Sequence, residues 1–190
     1  MITHDELEFA RPDLEALLLE VLTSVFTEEA YPDDSPLPDG DLVTARLSIL
    51  EEGGASHLGV EIRTGGVLAR LLAWRMFGAD DPREPDLLDA VGELGNIAAG
   101  NVKSLLFHAG RLSLPGARLD GAAAHAPPAG PAAELPADPA ADPGGDRHAP
   151  VTVGAAVLGQ VVRLTLTPGA DPDGLTWPPT TDDELLETQP

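Results

Sequence analysis

The sequence predicts an α+β domain in which helices pack on a largely antiparallel sheet. Apolar residues recur at helical spacing in three segments, and alternating apolar and polar residues flank short turns in two hairpin-like segments. Taken along the chain, the order is helix, hairpin, helix, helix, strand, hairpin, which suits helices on one side of hairpin-joined strands.

The first helix is expected from about Arg11 to Thr27. Pro12 fits its first turn, and Leu14, Leu17, Leu18, Val21, Leu22 and Val25 follow at helical spacing. After a Pro/Asp-rich connection, Val43, Ala45, Leu47 and Ile49 alternate with polar residues, as do Leu58, Val60 and Ile62 beyond the turn at 51–54. Thr64 is the expected cap of a second helix through Leu68, Leu71, Leu72 and Met76, which stops at Gly78. A third helix is expected from near Pro85 to about His108. Strand signals then follow from Arg111 to Leu119 and from Val151 to Leu166, the latter folded into a hairpin at Leu158-Gly159-Gln160.

The domain is expected to span 11–168. Residues 121–150 are almost wholly Ala, Pro, Gly, Asp and Glu, and lack the large apolar side chains that offset ordering entropy; they read as a disordered insertion. The acidic tail, 169–190, reads the same way, with Leu185 and Leu186 among its acids as a candidate docking peptide.

Composition excludes several functions. Cysteine is absent, which removes disulfides, thiolate metal sites and thiol nucleophiles and fits a cytoplasmic location. A formal charge of −21 disfavours nucleic acid and anionic membrane as partners. No apolar run is long enough to cross a bilayer, and the acidic start is unlike a signal peptide. The five histidines show no metal-site spacing, and each reads as solvent-facing or incidental.

The third helix carries the chemistry. Asp86, Asp89, Glu93, Asn96, Gly100 and Lys103 fall within about a third of its circumference at about 100° per residue, while Leu87, Leu88, Val91, Leu94, Ala98, Val102, Leu105 and Leu106 are expected to face the core. Each glycine inside a helix costs about 1 kcal/mol relative to alanine, so Gly92, Gly95 and Gly100 call for a reason. Helix-to-sheet packing accounts for Gly95; close approach of a partner is the expectation for Gly92 and Gly100. Glu93 and Asn96, three residues apart, point the same way, and a carboxamide offers both a donor and an acceptor to a water.

The run GELGNIAAGNVKSLL from Gly92 to Leu106 resembles the signature helix of the CheX-type chemotaxis phosphatases of the CheC/CheX/FliY family. The Met76-Phe77-Gly78 step and the LSLP strand at Leu112 to Pro115 are similar too. The resemblance implies an internally duplicated CheC-like fold and a phosphatase acting on the phospho-aspartate of a CheY-like receiver domain. Glu93 would dock on a receiver lysine, Asn96 would orient the attacking water, and Asp89, Gly92, Gly100 and Lys103 would meet the partner. It implies no cofactor on this chain, with the divalent metal, Mg²⁺, on the receiver, and it allows a homodimer through the sheet edge. A non-catalytic receiver-binding adaptor, a flagellar-switch or scaffold component and an unrelated interaction module remain alternatives.

The duplication has its own trace. Pro12-Asp13-Leu14 aligns with Pro85-Asp86-Leu87, which sets Glu20 on Glu93 but Thr23 on Asn96 and Leu19 on Gly92. Without the carboxamide, the first copy is expected to be structural.

Overall fold

The computed structural model describes residues 2–51, 57–107, 110–120 and 149–169. The turn at 52–56, most of the 121–150 segment and the tail beyond Gly169 lie outside them, and with them the expected order of those stretches.

A short helix α1 (His4–Phe9) precedes the expected start of the domain. Thr3 and Glu6 form a reciprocal capping box, Glu6 N–H donating to Thr3 Oγ1 and Thr3 N–H to Glu6 Oε2. Those bonds hold the Glu6 carboxyl below its usual range. One fully buried side chain, Leu7, ties α1 to the core, a signal too short for periodicity to register. His4 is not incidental, since its Nδ1 lies 3.1 Å from the carbonyl oxygen of Ala149.

Helix α2 (Arg11–Phe26) follows expectation and ends at Thr27 in the left-handed region. Strand β1 (Tyr31–Pro32), too short to alternate, was not foreseen. Strands β2 (Leu42–Glu51) and β3 (His57–Gly65) form the first hairpin. Helix α3 (Gly66–Phe77) is not capped by Thr64: that residue belongs to β3, and its hydroxyl donates to the Val161 carbonyl across the sheet. Helix α4 (Glu84–Leu106) stops short of His108, and Arg83 N–H donates to Asp86 Oδ2 at its start. The strand expected from Arg111 is two, β4 (Gly110–Leu112) and β5 (Gly116–Asp120), on either side of Pro115. Strands β6 (Val151–Val157) and β7 (Gln160–Pro168) form the second hairpin, with Leu158 and Gly159 both at positive φ as a tight two-residue turn requires.

The sheet order is β1-β6-β7-β3-β2-β4, with β5 also on β2, and every pairing is antiparallel. Its centre is the seam of β3 and β7, where Arg63 stands opposite Arg163. Each half of the chain supplies a long helix, short edge strands and a hairpin, and the edge strands pair with the other half's hairpin. The helices exchange likewise, α2 lying on β6 and α4 on β2.

The duplicated helices match in burial. Leu14, Leu18, Val21, Leu22 and Phe26 are buried on α2, and their counterparts Leu87, Val91, Leu94, Gly95 and Ala99 are buried on α4. One substitution within this frame decides how α4 sits. Where α2 carries Leu22, α4 carries Gly95, and a Cβ there would stand 2.9 Å from Leu47 Cδ1 and 3.4 Å from Ala45 Cβ on β2. Gly95 therefore answers to packing. Gly100 has open space around its Cα.

These two glycines give a paired prediction. Overpacking at a buried site costs about 1–3 kcal/mol, which exceeds the roughly 1 kcal/mol gained in helix propensity. Gly95→Ala is expected to lower the urea midpoint, and Gly100→Ala to hold or raise it.

Candidate functional site on helix α4

Helix α4 presents its polar stripe because its opposite side is committed to the core: Leu87, Ala90, Val91, Leu94, Ala98, Ala99 and Val102 are all buried. Leu88 and Leu105 depart from the expected inward set. Leu88 is half-buried at the edge of a surface groove, and Leu105 is exposed.

On the outward side Glu93 is exposed and Asn96 half-buried. Asn96 Nδ2 lies 3.4 Å from Glu93 Oε2. That is longer than the usual limit of about 3.2 Å for a strong N–H···O bond, so the two groups face one way without consuming each other. Both remain open to a partner.

The pair borders a groove of about 490 Å³ lined by Phe77, Leu88, Asp89, Gly92, Glu93, Asn96, Pro115 and Ala117. Three segments distant in sequence meet there: the end of α3, the first half of α4, and the Pro115 break before β5. Phe77 is 51 % exposed and neighbouring Leu114 79 % exposed, so the rim is apolar as well as acidic. Gly92 is buried, and a Cβ at that position would come within 3.8 Å of the Pro115 ring. That is an ordinary van der Waals distance, so the Pro115 segment beside the helix does not itself require glycine at this position.

Of the six residues singled out from sequence, Asp89, Gly92, Glu93 and Asn96 come together here. Gly100 and Lys103 continue along the same helix beyond the groove. Phe77, Leu88, Pro115 and Ala117 were not foreseen as one surface, because no local pattern links them. Ser104 Oγ donates to the Gly100 carbonyl and Asn101 Nδ2 to that of Ile97, so these polar groups are turned onto the helix itself.

The corresponding place on α2 is built differently. Glu20 is exposed like Glu93, but Thr23 Oγ1 accepts the N–H of Ala30 at 3.2 Å, closing the connection after the helix. Leu19, where α4 has Gly92, packs against the core. Thr23 is engaged by the backbone, in contrast to Asn96.

Among the described residues no three His, Cys, Asp or Glu side chains are grouped to hold a metal ion, and no helix is long and apolar enough to cross a membrane.

Comparison with known proteins places these features in a family context. The family model described as chemotaxis phosphatase CheX matches residues 49–129, from the end of β2 through α3, α4 and β5. No curated protein matches the sequence. The chemotaxis protein CheX from Vibrio vulnificus superposes with a TM-score of 0.56 at 16% identity, over 82% of this chain and 93% of its own. Chemotaxis protein CheX from Desulfovibrio desulfuricans gives 0.53 at 14% identity, over 84% and 97%. A CheC-like superfamily protein from Shewanella sp. PV-4 gives 0.53 at 14% identity, over 83% and 95%. At such identities the likeness is one of fold, while the matched segment contains the whole of α4. The fold is thus like that of CheX and CheC-like proteins, and the segment 49–129, with the whole of α4, is similar to the chemotaxis phosphatase CheX model.

Proposed function

We propose that the protein is a response-regulator phosphatase, hydrolysing the phospho-aspartate of a receiver domain in the cytoplasm. The observation that carries this reading is the Glu93–Asn96 pair, projecting together from α4 beside a groove that a partner protein can enter. The match to the chemotaxis phosphatase model over this helix supports it.

In the proposed complex α4 lies across the receiver's active site. Glu93 pairs with a receiver lysine and fixes the helix in place. The Asn96 carboxamide accepts one hydrogen bond from a water and can donate another toward the phosphoryl oxygens, holding that water in line with the scissile P–O bond. Attack forms the new P–O bond as the bond to the aspartyl oxygen breaks. The carboxylate leaves with the electron pair, and the water's proton passes to phosphate or solvent. The receiver, and none of this chain's residues, would hold the divalent metal that offsets charge on the phosphoryl group. Such a reaction needs positioning more than a strong base.

The apolar floor of the groove, with Asp89 at its edge, supplies the rest of the docking surface. Gly100 and Lys103 extend it along α4, where the absence of a Cβ at Gly100 lets the partner's backbone approach. Since Glu93 must find a cation, the acidic rim also disfavours partners lacking one.

Phosphate release from phosphorylated receivers tests the assignment. Asn96→Ala is expected to lower turnover by about 10²-fold or more while binding holds, because a misplacement of about 1 Å can cost that much. Glu93→Ala should weaken docking and turnover together. Unchanged turnover in Asn96→Ala would overturn the role given to Asn96, and a parent protein that binds the receiver without accelerating phosphate release would leave a receiver-binding adaptor as the reading.

The first copy of the motif gives the matching control. Glu20→Ala is expected to stay within about twofold of the parent rate, since an exposed substitution away from special features changes stability by about 0.5 kcal/mol or less. Thr23→Ala should lose about 0.5–1.5 kcal/mol of stability with its bond to Ala30, and leave turnover intact. Residual turnover in Asn96→Ala that vanished only with Glu20 also replaced would mean that both helices act.

A further inference from the structure

Helix α3 buries only one of its sides. Leu68, Ala69, Leu72 and Ala73 are fully buried, whereas Val67, Leu71 and Trp74 are 60 %, 38 % and 54 % exposed. Leu71, which periodicity alone turns toward the core, is therefore part of an outward row. Spaced four and then three residues apart, the three side chains stand one above another, and Phe77 continues them to the rim of the Glu93–Asn96 groove. At 1.5 Å per residue the row from Val67 to Phe77 is about 15 Å long.

Two arginines flank this row. At about 100° per residue Arg70 falls on one side of it and Arg75 on the other. Neutral acceptors hold both: Arg70 donates to the Pro82 carbonyl at 3.2 Å, and Arg75 to the Val25 carbonyl at 3.3 Å and to Thr27 Oγ1 at 2.6 Å. Neither makes an ion pair among the described residues. Helix α3 contains no acidic residue, so within a chain of net charge −21 its outward side is apolar and cationic.

A narrow apolar row of this spacing, with a charge on each flank, has the form of a helix-to-helix seam. Side chains interlock along such a row, and the flanking charges select a partner of opposite sign. A second copy of α3 does not answer that requirement, since it brings arginine against arginine.

We propose that α3 is a second docking element for the receiver that α4 engages, an inference that rests on the phosphatase reading of α4. Its occupant is a surface helix of that receiver, with an apolar row flanked by Asp and Glu. Continuity assigns both surfaces to one partner, because Phe77 belongs to the row and to the groove alike. The charges of the two surfaces are opposed. Asp89 and Glu93 call for a cation on the receiver and Arg70 and Arg75 for anions, so a receiver carrying both signs is held in one register along the two helices. Affinity thereby resides largely on α3, and turnover on Asn96.

The test is steady-state phosphate release from receiver domains phosphorylated with acetyl phosphate and Mg²⁺, with KM and kcat resolved. Trp74→Ala is expected to raise KM by about tenfold or more while kcat holds, because an aromatic anchor at an interface carries a large share of the binding. Arg70→Glu should raise KM as well, and Arg70→Lys should keep it within about twofold of the parent. Phe9→Ser, which removes an exposed apolar side chain from α1, should change neither constant. Trp74 and Arg70 are exposed, so these variants are expected to keep the parent's urea midpoint. Parental KM in Trp74→Ala would overturn the docking role of α3 and leave the role of Asn96 standing. A parent protein that accelerated phosphate release from none of the receivers would overturn the phosphatase reading and this inference with it. A dimer in sedimentation that Trp74→Ala converted to a monomer would make a second copy the occupant, and overturn the assignment to the receiver.

Discussion

The close approach of α4 to β2 at Gly95 fixes everything that happens on the other side of that helix. With no side chain at this position, the α4 backbone settles against Leu47 and Ala45, and the buried residues along the same side of the helix fix its rotation about its axis. Buried positions on α4 then lie along one side, and Glu93 and Asn96 are turned outward together. The same packing brings Gly92 against Pro115, which closes the groove beside the pair. A Cβ at position 95 would require the buried Leu47 side chain or the helix itself to give way.

The duplicated halves show how a shared frame carries two outcomes. Their long helices bury matching positions and lie on equivalent strands, each on the hairpin of the other half. That exchange means neither half can bury its own helix alone, and the β3–β7 seam joins them into one sheet. Among the positions that differ between the copies, three bear on the site: Leu19 for Gly92, Leu22 for Gly95 and Thr23 for Asn96. The second replaces a close approach of helix to strand with side-chain packing, and the first adds a side chain that packs against the core. The third turns a water-holding carboxamide into a hydroxyl that serves the loop at Ala30.

Charge follows the same economy. The acidic residues that give the chain its net −21 are spread widely, but the central cations of the sheet are gathered on the face away from α4. Gly154 makes that arrangement possible on one side by admitting the Arg163 guanidinium, which in turn clasps the connection between α2 and β2. Its neighbour Arg63 has no such clasp. The two faces of the domain thus differ, with an acidic and apolar groove on the helix side and a row of arginines on the other.

Sequence alone determined the elements whose signals are local and repeated. The helical spacing of α2 and α4, the alternation of β2, β3, β6 and β7, and the outward stripe with Glu93 and Asn96 all follow from periodicity, since burial on one side dictates every third or fourth residue of a helix and every second of a strand. The Pro-Asp-Leu starts of α2 and α4 were legible for the same reason. Elements without a full period were not: α1 rests on a capping box and Leu7, β1 on two residues, and the split of β4 from β5 on Pro115. Thr64 looked like a cap because threonine suits that role, but its strand partner across the sheet claimed the hydroxyl. Only the tertiary structure decided that Phe77, Leu88 and Pro115 share a groove with Glu93 and Asn96, and that Thr23 is tied to Ala30. Such contacts depend on how the helices seat on the sheet, and that seating depends on strand register and on one missing side chain at Gly95, neither of which leaves a periodic trace along the chain.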